Sequence, residues 1–131
     1  MGAWGFRPFE NDVAADWAQE CARQADMAFV EATLDQVLAA DDELDADDAE
    51  EGVAAAATVV RLLDHDVAAA DLVNDWIASD HRAGATALAG KAYAVLDRVL
   101  AEPSELLDLW AASDDFLEWQ EVVNGLKGML K

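Results

Sequence analysis

The sequence predicts an all-α fold, a single-domain bundle of about six or seven helices with a short non-helical N-terminal segment. The chain has 131 residues, of which 29 are alanine and only two are proline, and apolar residues recur at helical spacing through most of its length. Alanine is the strongest helix former and proline the strongest helix breaker. A chain of this length is typical of one domain, so residues 1–131 are expected to fold as one unit.

Capping residues and apolar stripes predict two helices before residue 41. Asn11 is a suitable N-cap for the first helix, and Asp26 for a second helix that is expected to end near Ala40. The spacing of apolar residues turns one face of each helix towards the core. These faces contain Val13, Trp17 and Cys21 in the first helix, and Met27, Val30, Leu34, Val37 and Leu38 in the second.

An acidic run follows at residues 41–51, where eight of eleven residues are Asp or Glu. We expect it to be a linker or the start of a third helix, with the spacing of a capping box from Asp47 to Glu50 or from Asp48 to Glu51. The run lacks the glycine and the terminal glutamate of a calcium-binding EF-hand loop. The third helix continues through residues 53–63 and is apolar over a wide arc, which predicts a central position.

The second half of the chain predicts four further helices. A fourth helix is expected over residues 66–79, followed by a turn at residues 80–84 and a fifth, well-buried helix that ends before Pro103. Ser104 and Ser113 are suitable N-caps for a sixth and a seventh helix. The expected core residues are Leu88, Ala92, Val95, Leu96, Val99 and Leu100 in the fifth helix, Leu106, Leu107, Leu109 and Trp110 in the sixth, and Phe116, Trp119, Val123, Leu126 and Leu130 in the seventh.

The composition restricts the location and the partners of the protein. The formal net charge is −20, from 28 acidic and 8 basic residues. Such a chain repels nucleic acids and anionic lipid surfaces, whereas a basic protein would be attracted to it. No stretch is apolar for long enough to span a membrane, and the N-terminal sequence lacks the pattern of a secretory signal. With a single cysteine, these features predict a cytoplasmic protein that binds neither nucleic acid nor membrane.

The acidity has two interpretations, a surface for a basic partner or adaptation to a salty cytoplasm. The acids are 18 Asp and 10 Glu, whereas the bases include only 3 Lys. Closely spaced carboxylates hold water and cations, and salt screens their mutual repulsion. The sequence leaves both interpretations open.

Salt is expected to stabilise the fold under either interpretation. Twenty uncompensated negative charges on a small domain repel one another, and the screening length at about 0.15 M salt is roughly 8 Å. We therefore expect the melting temperature to rise between low salt and about 1 M sodium chloride. A flat or falling curve would show that repulsion does not limit stability.

Few residues suggest catalysis or metal binding. His65 and His81 have aspartate neighbours, but the chain has no other histidine and no paired metal-binding motif, so both are expected to be exposed or structural. Cys21 shares an apolar stripe with Trp17, which favours a core position over a nucleophile. The sequence predicts no catalytic residue, no cofactor and no metal site.

The N-terminal segment is the candidate binding region. Trp4 and Phe9 flank Pro8 ahead of the first helix, and within residues 1–10 they could form an apolar clasp over the Trp17 stripe or over the helices around Trp110. Alternatively, they could remain exposed as a binding patch. The clasp is favoured because burial of a tryptophan stabilises a small domain by roughly 2 to 3 kcal/mol. The candidate partner-binding residues are Trp4, Phe9, Asn11, Asp12 and Asp16.

The same segment resembles a known family. The chain opens with Met-Gly-Ala-Trp-Gly at residues 1–5, continues with Phe-Glu-Asn-Asp at residues 9–12 and has Asp16-Trp17 in the first helix. With the alanine-rich residues 53–60 and the sequence of residues 104–110, this pattern resembles the bacterial family catalogued as domain of unknown function 4259. Phe6-Arg7 and Thr58 depart from the expected pattern. The resemblance implies a small helical bacterial protein and assigns no activity.

Three classes of function are compatible with the sequence. The first is a non-enzymatic interaction protein of the inhibitor, immunity or adaptor type that binds a basic partner. The second is a nucleic-acid mimic that occupies a DNA-binding groove, which requires rows of spaced carboxylates. The third is a metal-dependent enzyme that uses helix-borne carboxylates. The first is favoured by the charge of −20, and the sequence does not indicate an oligomeric state.

Overall fold

The computed structural model describes residues 5–24, 27–63 and 82–130 and shows an all-α bundle. The predicted fold class is confirmed, with six helices and no strand in these residues. The predicted fourth helix and the proposed Asp26 cap lie outside the described residues. The helices are α1 (Asp12–Cys21), α2 (Ala28–Leu38), α3 (Ala46–Leu62), α4 (Arg82–Val99), α5 (Glu105–Ala111) and α6 (Phe116–Met129).

Helix α3 is the centre of the bundle, as its wide apolar arc predicts. It contacts α1, α2, α4, α5 and α6, and its most extensive contact is with α4. Every residue from Gly52 to Val60 is buried. The small side chains of residues 54–57 allow neighbouring helices to approach closely, and the larger side chains of the valines at 53, 59 and 60 are buried beside them.

Several predicted helix starts are confirmed, and others are wrong in detail. Asn11 and Ser104 cap α1 and α5 as expected, accepting hydrogen bonds from the amides of Ala14 and Leu107. Ser113 does not cap α6, which begins at Phe116; its hydroxyl donates to the Trp110 carbonyl and accepts from the Asp115 amide. The predicted turn at residues 80–84 is wrong for its last three residues, which begin α4.

The start of α3 differs from both predicted capping boxes. Asp45 is the N-cap, and its carboxylate accepts hydrogen bonds from the amides of Asp47 and Asp48 at 2.7 and 3.4 Å. The Glu105 carboxylate accepts a third, from the Ala46 amide at 2.8 Å. Residues 41–45 are therefore a connection, and the rest of the acidic run belongs to α3.

A short parallel bridge joins the starts of α3 and α5. The Leu44 amide donates to the Pro103 carbonyl at 3.0 Å, and the Leu44 carbonyl accepts from the Glu105 amide at 2.9 Å. The Arg98 guanidinium secures the same region by donating to the carbonyls of Ala101, Asp42 and Pro103. These bonds fix the first turns of α3 and α5 side by side.

The predicted apolar stripes are mostly buried, with exceptions at their edges. Leu38 and Leu109 are 41% and 40% exposed, and Val13 is only half-buried. Each lies at the side of its helix stripe, where spacing alone does not decide burial.

Gly52 is required where three helices meet. A Cβ atom at this position would lie 2.7 Å from Cγ2 of Val37 in α2 and 3.1 Å from Cγ1 of Val95 in α4. Gly52→Ala is therefore expected to lower the free energy of unfolding by about 1 to 3 kcal/mol, because overpacking outweighs the higher helix propensity of alanine.

Gly90 provides the matched control, because a Cβ atom there meets nothing within 4 Å. Gly90→Ala is expected to raise the free energy of unfolding by about 0.5 to 1 kcal/mol. Urea unfolding followed by circular dichroism measures both changes. A Gly52→Ala variant as stable as Gly90→Ala would contradict the close approach of the three helices.

Candidate functional site

Residues 5–11 of the chain lie along a cleft between the first turns of α3, helix α5 and the middle of α6. We call this feature the N-terminal cleft. Its empty volume is about 310 Å³ including the open mouth, and its enclosed part has room for about one water molecule. The lining residues are Phe6, Arg7, Pro8 and Asn11 from the segment, Glu50 and Val53 from α3, Leu106 and Trp110 from α5, and Trp119, Val122 and Val123 from α6.

Local hydrogen bonds hold the segment in a turn before α1. The Glu10 amide donates to the Arg7 carbonyl at 3.1 Å, and the Arg7 amide donates to Oε1 of Glu10 at 3.2 Å. Asn11 is extended and buried, and its Oδ1 accepts from the Ala14 amide at 2.7 Å. The N-cap of α1 thus also fixes one edge of the cleft.

Trp17 anchors α1 beneath the segment. Its indole Nε1 donates to Oγ1 of Thr33 at 2.8 Å, and its ring stacks on Phe29 with 5.4 Å between the ring centroids. The Thr33 hydroxyl donates in turn to the Phe29 carbonyl. The half-buried Phe9 lies on Trp17, with 6.5 Å between the centroids.

Two stacked tryptophans form the aromatic wall of the cleft. The rings of Trp110 and Trp119 are nearly parallel, with an interplanar angle of 10° and 5.9 Å between their centroids. Both side chains are buried, and Phe116 contacts Trp119 from the start of α6.

Glu50 provides a buried carboxyl group in the cleft. Glu50 is 6% exposed and lines the cleft from the first turns of α3. Burial raises the pKa of Glu50 to about 7. The negative charges of Asp47 and Asp12 also act to raise this pKa, and the positive charge of the chain's N-terminus acts to lower it. Near neutral pH the cleft therefore presents a carboxyl group that readily gains or loses a proton.

The described basic side chains are largely engaged within the protein. Lys91 pairs with the carboxylates of Glu31 and Asp35 at 2.7 and 2.9 Å. Lys127 pairs with Asp97 and lies 5.3 Å from the centroid of the Tyr93 ring. The guanidinium of Arg98 is bound to backbone carbonyls, and that of Arg23 pairs with Glu20.

Exposed acids accumulate where α1 and α3 begin. Asp12 lies in the first turn of α1 and Asp47 in the first turn of α3, and both act on the pKa of Glu50. These two helix starts are therefore close neighbours. The exposed acids of this region, which we call the acidic end, are Asp12, Asp41, Asp42, Glu43, Asp45 and Asp47.

The predicted partner-binding residues have different environments. Trp4 lies outside the described residues, Phe9 is half-buried and Asn11 is buried as the N-cap. Asp12 and Asp16 are exposed. The choice between clasp and binding patch stays a prediction for the segment as a whole.

Sequence reasoning missed Glu50 as a member of the cleft. Its spacing from Asp47 suggested a capping box, but Glu50 also precedes Val53 by three residues on the buried face of α3. A carboxylate on the apolar stripe of a central helix is unusual, and this position was the sequence signal that could have indicated a buried Glu50.

The other candidate reactive residues do not add to the cleft. His65 and His81 lie outside the described residues. Cys21 is buried in the core, and burial raises the pKa of its thiol to about 12, so the thiol is protonated at neutral pH. Within residues 5–24, 27–63 and 82–130, no group of three or more His, Cys, Asp or Glu side chains is placed to hold a metal ion.

None of the helices in the described part of the chain is both long enough and apolar enough to cross a membrane.

Comparison with known proteins identifies the family. Neither a curated protein nor a solved structure matches the chain. A family model described as "Domain of unknown function (DUF4259)" matches residues 2–122, which include the N-terminal segment and every residue that lines the N-terminal cleft except Val123. The chain therefore belongs to this family of domains of unknown function.

Proposed function

We propose that the protein is a non-enzymatic interaction protein, of the inhibitor, immunity or adaptor type, that binds a basic protein in the bacterial cytoplasm. The net charge of −20 supports this proposal, because a strongly acidic surface attracts basic partners and accelerates their association. The single cysteine, which is buried, is compatible with a reducing compartment.

The distribution of charge is the observation that carries the proposal. Lys91 and Lys127 are paired with carboxylates on α2 and α4, and the Arg98 guanidinium is bound to backbone carbonyls, including that of Asp42. At the acidic end, by contrast, the carboxylates of residues 41–43 and 47 and of Asp12 face solvent. These three positive charges are thus engaged within the protein, whereas the exposed carboxylates of the acidic end are available to a partner.

The acidic end also adjoins a rigid part of the fold. Asp45 caps α3, the Leu44 bridge ties α3 to α5, and Asn11 caps α1. An interface on such elements requires little ordering when a partner binds, which favours affinity.

Two double variants with the same loss of charge test the proposal. Asp12→Asn/Asp47→Asn removes two acids from the acidic end, whereas Glu118→Gln/Glu121→Gln removes two exposed acids from α6. Basic proteins captured by the full chain from a bacterial lysate at about 0.15 M salt would be purified, and their dissociation constants measured with each variant.

We expect the first double variant to weaken binding of the partner at least tenfold and the second by less than twofold. Equal weakening by both pairs would indicate attraction to the net charge alone. That result, or the capture of no basic protein, would contradict the proposal.

A further inference from the structure

Glu50 lies where residues 5–11 meet the rest of the bundle. It is 6% exposed and lines the N-terminal cleft, and the same cleft is lined by Phe6, Arg7 and Pro8. We call residues 5–11 the N-terminal cover. The environment of the Glu50 carboxyl group therefore depends on where the cover lies.

The cleft is closed in this structure. Leu106, Trp110, Trp119 and Val123 line it, and each of them is at most 6% exposed. The enclosed space has room for about one water molecule. Because so little water reaches it, the Glu50 carboxyl group is favoured in its neutral form while the cover is closed.

The charges around Glu50 come from several parts of the chain. Asp47 of α3 and Asp12 of α1 oppose its ionisation, whereas the positive charge of the chain's N-terminus favours it. Arg7 of the cover lines the cleft, and the residues that line it from α5 and α6 are apolar or aromatic. Burial is the largest influence, and the balance raises the pKa of Glu50 from 4.5 to about 7.

The hydrogen bonds that shape the cover are local. The Glu10 amide donates to the Arg7 carbonyl, and the Arg7 amide donates to Oε1 of Glu10. Asn11 caps α1 through its own side chain. A movement of residues 5–10 about Asn11 would therefore uncover the cleft and leave these hydrogen bonds in place.

Opening of the cover is linked to the ionisation of Glu50. Water that enters the open cleft returns the pKa of Glu50 towards its ordinary value of 4.5. Below pH 4.5 the group is protonated in both forms, so the opening equilibrium does not depend on pH. Between pH 4.5 and 7 opening releases a proton, and the open fraction rises with pH. Above pH 7 the group is ionised in both forms and the rise ends.

We propose that the N-terminal cover is a pH-sensitive device, which closes the cleft while Glu50 is protonated and opens more often once Glu50 ionises. Opening exposes the stacked rings of Trp110 and Trp119 to solvent while the core of the bundle stays folded. The device requires no partner, so it stands or falls separately from the proposed function.

The test measures how often the cleft opens, by chemical labelling of a thiol placed in its wall. Val53 lines the cleft one turn after Glu50 and is 5% exposed, and Val53→Cys introduces a thiol of similar size there. The native Cys21 is fully buried in the core and reports wider unfolding. The reagent is methyl methanethiosulfonate, and each labelling rate is divided by that of a small peptide thiol at the same pH, which gives an opening constant.

We expect the opening constant at position 53 to be at least tenfold larger at pH 7.5 than at pH 5.5, because the linkage permits a rise of about 20-fold. With Glu50→Gln in the same background the rise should be less than twofold. Glu121→Gln makes the same chemical change at an exposed position and should behave like the parent.

The native Cys21 separates local opening from unfolding of the whole domain. We expect Cys21 to react at least tenfold more slowly than the thiol at position 53, and about 0.5 M urea should accelerate Cys21 more than that thiol. A pH-independent opening constant in the parent, or the same rise in Glu50→Gln, would overturn the proposal. Equal rates at the two thiols would also overturn it, because the cleft would then open only when the core unfolds.

Discussion

Replacing Trp17 with alanine is expected to lower the free energy of unfolding by about 3 to 5 kcal/mol. The side chain is 3% exposed, donates a hydrogen bond to Thr33 and stacks on Phe29. Alanine removes the ring from both contacts and leaves a cavity beneath Phe9. The loss is a large fraction of the total stability of a domain of this size.

Two further variants separate the causes of this loss. Trp17→Phe retains much of the apolar area but removes the hydrogen bond, so we expect a smaller loss of about 1 to 2 kcal/mol. Leu117→Ala truncates a side chain that is 71% exposed and should change stability by less than about 0.5 kcal/mol. Urea unfolding monitored by circular dichroism gives all three values. If Trp17→Ala resembled Leu117→Ala, the burial of Trp17 would be wrong.

Local sequence was sufficient to predict features that depend on one helix at a time. Asn11 and Ser104 are caps because their short polar side chains reach the amides of their own helices. The stripe of α4 is buried as predicted from Leu88 to Val99 because its apolar residues recur at the helical period, whereas Leu100, which follows the helix, is half-buried.

Features that depend on contacts between helices could not be predicted in this way. The acidic run offers several equivalent caps for α3, and the choice of Asp45 follows from the bridge at Leu44 and from the Glu105 carboxylate, which lies 59 residues further along the chain than its partner Ala46. The exposure of Leu109 likewise depends on where neighbouring helices end.

The N-terminal cleft is another feature that depends on contacts between helices and could be predicted only in part. The sequence indicated that the N-terminal segment is unusual, and two walls come from its residues and from Trp110. Glu50 was expected at a helix start because its spacing from Asp47 is that of a capping box. Its burial follows from the packing of the segment, α5 and α6 around the first turns of α3, which no local pattern contains.

Ionisation of Glu50 is expected to destabilise the fold, so stability should fall as the pH rises from about 5 to 8. The pKa of Glu50 is about 7 in the folded protein, compared with an ordinary value of 4.5. Below pH 4.5 the group is protonated in both states and its favourable contribution is complete. Between the two values, unfolding releases a proton, and this contribution is lost progressively. Above pH 7 the favourable contribution of protonated Glu50 is absent.

The size of the effect follows from the difference of about 2.5 pH units between the two values. Each pH unit corresponds to 1.36 kcal/mol, so the free energy of unfolding falls by at most about 3 kcal/mol when Glu50 ionises. Partial access of water to the cleft reduces this loss to about 2 kcal/mol. Glu50→Gln removes the ionisation and should therefore be more stable than the parent at pH 8 by about 2 kcal/mol. Near pH 5 the difference should largely disappear.

Urea unfolding of the parent, Glu50→Gln and Glu121→Gln across this pH range measures the effect. All three chains contain the same two histidines and nearly the same net charge, so the difference between the curves isolates the mutated carboxyl group. Glu121→Gln should follow the slope of the parent because Glu121 is exposed. If Glu50→Gln also followed that slope, Glu50 would ionise in the folded protein as readily as in the unfolded chain, and a water-accessible carboxylate would have to replace the buried one in the cleft.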